Sequence, residues 1–259
     1  MGENTVSGRA GPGWARLAGA RRGRARARHG RQWRRKEDGD TVKERRYTFR
    51  LEGLSPLIMH WDNLDWADEI EAKRTAIKER DKSNFSAGDD RCPPHTWKGY
   101  AYNDGEVLVV PTDNLRTCLM KAGAKITFKN RETYKKIIPS AVLFEDLNAA
   151  FFNRGKQVRV PDIEAITGTY AEQAKAVLDL GFRLLAKRAS VGQSKHVRVR
   201  PLFSDWSVEG QILVVDDTIT KDCVERIFET AGLRIGLCDW RPDAPKSPGP
   251  YGRFRVTIK

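Results

Sequence analysis

"RRYTFRLEG", residues 45–53, is the stretch that decides the fold, because it is the first segment of the chain with a clear hydrophobic period. Tyr47, Phe49 and Leu51 alternate with charged or polar neighbours, which is typical of a strand with one buried face. The last segment, "RFRVTIK" (residues 253–259), repeats that alternation. We expect these two strands to be adjacent at the centre of one antiparallel sheet, so that the loop before the last strand enters a central strand.

The segments between these two strands predict the order strand, helix, strand, strand, helix, strand. Between them lie a helix from Pro111, two short strands within 140–160, strands over 196–203 and 206–217, and a helix capped by Thr220 and closed by Gly232, and the order is what remains when the insertions are set aside. This order predicts an α+β fold, a ferredoxin-like (RRM-like) antiparallel sheet with two helices packed on one face. Residues 41–259 are expected to form this single domain, with insertions at about 60–110 and 148–190.

Both insertions carry local patterns of their own. In the first, the sequence predicts a surface helix over 66–81, a polar loop over 82–95 and a hairpin that turns at Asp104-Gly105. In the second, apolar residues at helical spacing predict a helix over about 170–186. The strand "HVRVRPLF" (196–203) follows it.

The net charge of +13 is concentrated at the N-terminus. Residues 1–36 contain 11 Lys and Arg and one acidic residue, whereas the remainder contains 36 basic and 33 acidic residues. With so few apolar side chains, residues 1–40 are expected to form a disordered Arg/Gly/Ala-rich arm that packs against nothing. Three interpretations stay open: an arm that contacts phosphates, a transit-type extension, or a mis-called start in a GC-rich gene.

Several classes of protein find no support in the sequence. No run of about 18 apolar residues occurs, so we expect no membrane partner. The four cysteines are widely scattered, which fits reduced thiols in the cytoplasm of a bacterium or of a phage-infected host. No P-loop, nucleophile elbow, paired-carboxylate motif or metal constellation is present, so we expect no cofactor and no metal ion, and a binding protein more than an enzyme.

The loop "GLCDWRPDAPKSPGPYGRF" (236–254) has the composition of a phosphate-binding loop. Glycine lets backbone N–H groups approach a phosphate, and Arg241 and Arg253 can neutralise its charge. Trp240 and Tyr251 can stack on bases. The alternative is a loop that covers a sheet edge, with Trp240 tucked underneath.

A basic segment, "KRASVGQSKHVRVR" (187–200), precedes this loop in the chain. It has no acidic residue, and it offers the candidate nucleic-acid contacts Lys187, Arg188, Lys195, His196, Arg198 and Arg200. Because the strand period is two, Arg198 and Arg200 share one face. We expect this face and the arginines of the loop to lie on the same side of the molecule and to form one groove; a merely solvated face is the alternative.

The order of elements and the Gly-rich loop together resemble the RAMP superfamily, the RNA-binding subunits of CRISPR effector complexes. Gly236, Gly249 and Gly252 occupy the loop that in this superfamily lies against the guide RNA backbone. "LEGLSPLIMH" (51–60) resembles the way that backbone-type RAMP subunits leave their first strand. The motifs "SPLIMH" and "CDWRP…GPYGRF" also resemble a group of uncharacterised phage and prophage proteins. The resemblance covers about residues 45–259 and implies RNA binding.

These observations predict a non-catalytic protein that coats single-stranded RNA or DNA, of phage, mobile-element or CRISPR-type origin, and that assembles as a homo-oligomer or within a multi-subunit complex. His60 is the one candidate for catalysis, because some RAMP-type endoribonucleases use a histidine in a comparable region. An endoribonuclease and a phage structural or assembly protein remain the alternatives.

Overall fold

The computed structural model describes residues 43–64, 66, 96–128, 132–191 and 194–259, and only the backbone of residues 96, 188–191 and 194–196. Its strands are β1 (Arg45–Gly53), β2 (Leu57–Ile58), β3 (Val109–Pro111), β4 (Val142–Phe144), β5 (Asn148–Asn153), β6 (Arg183–Val191), β7 (Ser194–Phe203), β8 (Trp206–Val214) and β9 (Phe254–Ile258). Its α-helices are α1 (Thr112–Gly123), α2 (Ile138–Ala141), α3 (Val160–Glu164), α4 (Tyr170–Asp179) and α5 (Lys221–Thr230). Short 3₁₀ helices cover Thr96–Tyr100 and Tyr134–Lys136. The chain is therefore α+β in class.

The larger sheet has the strand order β3-β5-β8-β1-β9, and β4 also pairs with β8. Strand β1 pairs antiparallel with both β8 and β9, so that Leu51 lies opposite Val208 on one side and Val256 on the other. The expected adjacency of the first and last strands is confirmed. Their placement at the centre is wrong for β9. Among the described strands it pairs with β1 alone, so it lies at the edge of the sheet, whereas β1 lies between β8 and β9. The Gly/Pro loop consequently enters the edge of the sheet.

One face of the larger sheet carries the core. Phe49 of β1 packs against Phe228 of α5, with 5.4 Å between the ring centroids. Helix α1 buries Leu115, Cys118 and other residues at the predicted helical spacing. Alternate residues of β1 point to the opposite face and are exposed. This division follows from the period-two alternation of the strands.

A second, smaller sheet has the order β2-β7-β6, and its main feature is the long antiparallel hairpin of β6 and β7. The helix predicted over about 170–186 is shorter than expected. It begins at a capping box of Thr169 and Glu172 and ends at Asp179. Gly181 then turns the chain with φ 86°, and the following residues form β6. A left-handed glycine ends the helix where apolar spacing alone predicts that it continues.

The helix after β8 begins as predicted, because the Thr220 hydroxyl accepts a hydrogen bond from the Cys223 N–H. It does not close at Gly232. The chain continues into a π-helix, Ala231–Ile235, and leaves it at Gly236 with φ 77°. A Cβ on Gly232 would lie 2.1 Å from the Phe254 carbonyl oxygen, so this glycine permits the close approach of β9.

The predicted turn at Asp104-Gly105 is confirmed, because Asn103 and Leu108 form an antiparallel bridge around it. The residues before it form a 3₁₀ helix, and the outgoing strand β3 pairs with β5. Strand β5 starts at residue 148, where the second insertion was expected to start, and it belongs to the larger sheet. The expected arm over 1–40 and the loop over 82–95 lie outside the described residues, as does nearly all of the helix expected over 66–81. Among the helices of the described ranges, none combines the length and the apolar character needed to cross a membrane.

Candidate nucleic-acid interface

The Gly/Pro loop, residues 236–253, is held to the body by backbone hydrogen bonds at both ends. The Leu237 N–H donates to the Gly252 carbonyl at 2.8 Å, which closes the loop on itself. The Gly252 N–H donates to the Pro56 carbonyl at 2.8 Å, and the Asp239 N–H donates to the Ile58 carbonyl at 3.1 Å. The loop is thereby fixed against the segment that follows β1.

Two of the loop glycines are required by this closure. A Cβ on Gly249 would lie 2.2 Å from the Trp240 carbonyl oxygen, and one on Gly252 would lie 2.1 Å from the Leu237 carbonyl oxygen. The Gly249 N–H donates to the Arg241 carbonyl at 3.1 Å, and the Gly252 N–H is used as described above. Both amides therefore donate within the protein, and these glycines serve the packing of the loop.

The backbone of the loop is strained on both sides of Asp239, the charged residue that faces the hairpin. Cys238 has φ 59° and Trp240 has φ 50°, and Asp239 lies between them. Left-handed conformations of such residues cost about 1–3 kcal/mol each and persist only where the surroundings determine them. Here the Arg241 Nη1 donates to the Cys238 carbonyl at 2.6 Å. The strained turn fixes Asp239 and Trp240 against β6 and β7.

A network of polar side chains connects the loop to β7. The Arg200 Nη1 lies 2.8 Å from the Asp239 Oδ2, and the His60 Nδ1 lies 3.6 Å from that same oxygen. The Arg198 Nη1 lies 3.3 Å from the His60 Nε2 and also donates to the Tyr100 hydroxyl at 3.3 Å. Because a guanidinium can only donate, the His60 Nε2 accepts and its Nδ1–H faces Asp239. Both ring nitrogens of His60 are engaged.

The carboxylate at the centre of this network is stabilised in its charged form. Burial by itself raises the pKa of Asp239, but the His60 ring N–H and the Arg200 guanidinium lower it more, and the result lies below the usual value. The side chain of Arg200 is only 13% exposed, and its Nε is buried with no hydrogen-bond partner among the described residues. The ion pair of Asp239 and Arg200 is thus a largely buried link between the loop and the hairpin.

An aromatic and cationic cluster lies beside this link, and we call Lys187, Trp240 and Tyr251 the platform. The ring centroids of Trp240 and Tyr251 are 5.2 Å apart at 39°. The Lys187 Nζ lies 3.1 Å from the centroid of the Trp240 ring, a cation–π contact. Lys187 is exposed and both rings are half-buried. The platform joins the loop to β6.

The remaining predicted residues occupy three places. Arg241 lines a cleft next to the polar network. Arg253 is exposed at the start of β9, and its backbone N–H donates to the Ser55 hydroxyl at 3.0 Å. Three residues lie further along the hairpin, paired opposite Val197, Ser190 and Ala189, with side chains outside the described part of the structure: Arg188, Lys195 and His196. The structure therefore brings Lys187 and Arg200 to the loop.

The cleft has a volume of about 240 Å³ and is mostly polar. It is lined by His60, Asp62, Tyr102, Asn114, Cys238, Asp239 and Arg241. The Tyr102 hydroxyl donates to the His60 carbonyl at 3.0 Å, and burial raises the pKa of Tyr102 well above its ordinary value.

Most of the side chains that line the cleft were not among the residues predicted from the sequence. Asp62, Tyr102 and Asn114 are distant from the loop in sequence, and only the fold brings them together. Asp239 was detectable in principle, since it is the one acidic residue in "CDWR" (238–241) beside the stacking tryptophan.

Within the described ranges, no group of three or more His, Cys, Asp or Glu side chains has an arrangement that could hold a metal ion. A comparison with protein families finds no family model that matches the chain, and a search of curated proteins finds no significant match.

Proposed function

We propose that this protein binds single-stranded nucleic acid without cleaving it, with RNA as the favoured ligand. The observation that carries the proposal is the platform, in which the exposed ammonium of Lys187 and the rings of Trp240 and Tyr251 meet beside the middle of a basic hairpin. Aromatic faces with adjacent cations are the recurring means of binding unpaired bases and their phosphates.

The charge of the hairpin supports this proposal. Residues 183–200 contain six Lys and Arg and no acidic residue, whereas the chain after residue 36 is close to neutral. A local excess of positive charge in a near-neutral chain favours the approach of a phosphate chain at one place. A base that stacks on Trp240 would displace Lys187 from the ring and leave its ammonium free for a neighbouring phosphate.

The proposed fold family is ferredoxin-like, of the RRM and RAMP type, in one domain with insertions. The order β9-β1-β8-β5, with α1 and α5 on one face, supports it because it is the order that a split βαβ arrangement gives. A RAMP-like protein of phage, mobile-element or CRISPR origin would act in the cytoplasm and assemble side by side along the strand. Both properties belong to the proposal.

The test is binding of labelled 20-nucleotide single strands of RNA and DNA, measured by fluorescence anisotropy. In Trp240→Asn the ring is lost, while Asn tolerates the left-handed backbone of this position. We expect the affinity to fall by about 1–3 kcal/mol, with an unchanged salt dependence, because stacking releases no counterion. Tyr170→Ala, in α4, is the control for loss of an aromatic ring. Absence of binding by the parent protein, or equal affinity of Trp240→Asn, contradicts the proposal.

An endoribonuclease is the second candidate, and one observation favours it. His60 lies beside Asp239 and Arg198 at the cleft, which supplies the partners that sequence alone did not offer. As both ring nitrogens are engaged, catalysis requires that the hydrogen bond with Arg198 opens. Incubation of the same labelled strands separates the candidates. Cleavage that disappears in His60→Asn while binding persists supports the enzyme, and intact strands exclude it under those conditions. The phage structural or assembly role stays a prediction.

A further inference from the structure

The polar cleft beside the platform contains groups that the proposed stacking does not use. The Nδ2 of Asn114 is buried and interacts with the Tyr102 side chain, and this interaction opposes the rise that burial causes in the pKa of Tyr102. A primary amide has two N–H donors and a carbonyl acceptor, so Asn114 can contact a ligand in the cleft as well as Tyr102.

The cleft also presents a guanidinium and a carboxylate. Arg241 uses one N–H for the Cys238 carbonyl, and a guanidinium has five donors. Asp62 is exposed at the opening of the cleft, and Asp239 is already paired with Arg200. A ligand that accepts from Arg241 or Asn114 and donates to Asp62 would match these groups. A phosphate cannot donate to a carboxylate when ionised, and the arrangement fits no metal ion.

We propose that this cleft binds a guanine base of the single strand, next to the platform. Guanine carries the O6 and N7 acceptors that arginine contacts in pairs. On its Watson–Crick edge it carries the adjacent N1–H and N2 amino donors that suit a carboxylate. Uracil offers one ring N–H and no amino group. The assignment rests on the proposed function for its setting, because the base would arrive on a strand that stacks on Trp240, but the cleft can be tested without the strand.

The experiment is calorimetric titration of the full chain with the 5′-monophosphates of guanosine, inosine and uridine. The three share their phosphate, and inosine lacks only the N2 amino group. We expect guanosine monophosphate to bind about 5- to 150-fold more tightly than the other two, the discrimination of one good paired contact. In Asp62→Asn this preference should disappear. Asp205→Asn, an exposed carboxylate between β7 and β8, is the matched control and should retain it.

Equal affinities for the three nucleotides, absence of binding, or a preference that survives in Asp62→Asn would overturn the assignment. The outcomes separate it from the proposed function. If strands of uridine bind but the protein shows no preference for guanosine monophosphate, the single-strand proposal stands and the base pocket is contradicted. If guanosine monophosphate binds with the expected preference but no strand binds, the base pocket is supported and the single-strand proposal is contradicted.

Discussion

Strands β1 and β7 both carry alternating arginines, yet their charges meet different neighbours. On the outer face of the larger sheet, Arg50 forms salt bridges with Glu52 of its own strand and Glu209 of β8, and about half of its side chain is exposed. On the hairpin, Arg200 is largely buried, and its acidic partner is Asp239 of the distant loop.

The comparison shows that the neighbouring strand determines whether the positive charge of a basic strand is neutralised within its own sheet. Strand β8 supplies an acid directly opposite Arg50, so the positive charge of β1 is neutralised within the sheet. Strand β6 offers no acid, so β7 acquires its counter-charge from the loop and thereby holds the loop in place. Lys187, whose described contact is an aromatic ring, keeps its charge for a ligand.

The largest expected effect is on the loop that provides this counter-charge. Gly252→Ala combines φ 72° with a Cβ placed 2.1 Å from a carbonyl oxygen, so we expect a loss of about 3 kcal/mol in the free energy of unfolding. Gly155→Ala is a matched control, since Gly155 has φ 73° and nothing within 4 Å of the added Cβ. It should cost about 1 kcal/mol, the left-handed backbone alone. Urea unfolding measures both, and similar losses would show that loop packing contributes little.

The second effect compares the two ion pairs directly. Asp239→Asn leaves Arg200 without its counter-charge, and we expect a loss of about 2 kcal/mol, below the 3–5 kcal/mol of a fully buried pair because Asp239 is 32% exposed. Glu209→Gln breaks the exposed pair with Arg50 and should cost less than about 0.5 kcal/mol. Equal losses of unfolding free energy in the two variants would show that the buried and the exposed ion pair contribute alike.

The pH dependence gives an independent check on this pair. The pKa of Asp239 is lowered in the folded protein, so its contribution is present above the carboxyl pKa of the unfolded chain, about 4, and is lost as the pH falls through the folded value. Parent protein and Asp239→Asn should therefore converge in stability toward low pH. A difference that is constant from pH 7 to pH 2 would contradict the assignment.

The smallest effect concerns binding. Lys187→Gln should flatten the dependence of log affinity on log salt by about 0.7 for single strands, since one phosphate contact is lost. Arg50→Gln, on the neutralised face of the larger sheet, should leave the slope unchanged. A slope that responds to Arg50 and not to Lys187 would move the binding surface to the larger sheet.

Elements whose pattern is local were predictable from the sequence. The alternating strands β1, β7 and β9, the buried strand β8, the turn at Asp104-Gly105 and the capping of α5 by Thr220 are all read from neighbouring residues, and the structure has each of them. Errors arose where a distant contact overrides a local signal. Gly232 looks like a helix end, but its missing Cβ admits the backbone of β9.

The position of the edge strand, the neutralisation of particular arginines and the composition of the cleft depend on the three-dimensional fold. Asp239 is one acid among many in the sequence, and its meeting with His60 and Arg200 depends on a strained turn held by hydrogen bonds to the segment after β1. The physical reason is that charge and hydrogen-bond satisfaction are properties of neighbours in space, whereas hydrophobic periodicity is a property of neighbours in the chain.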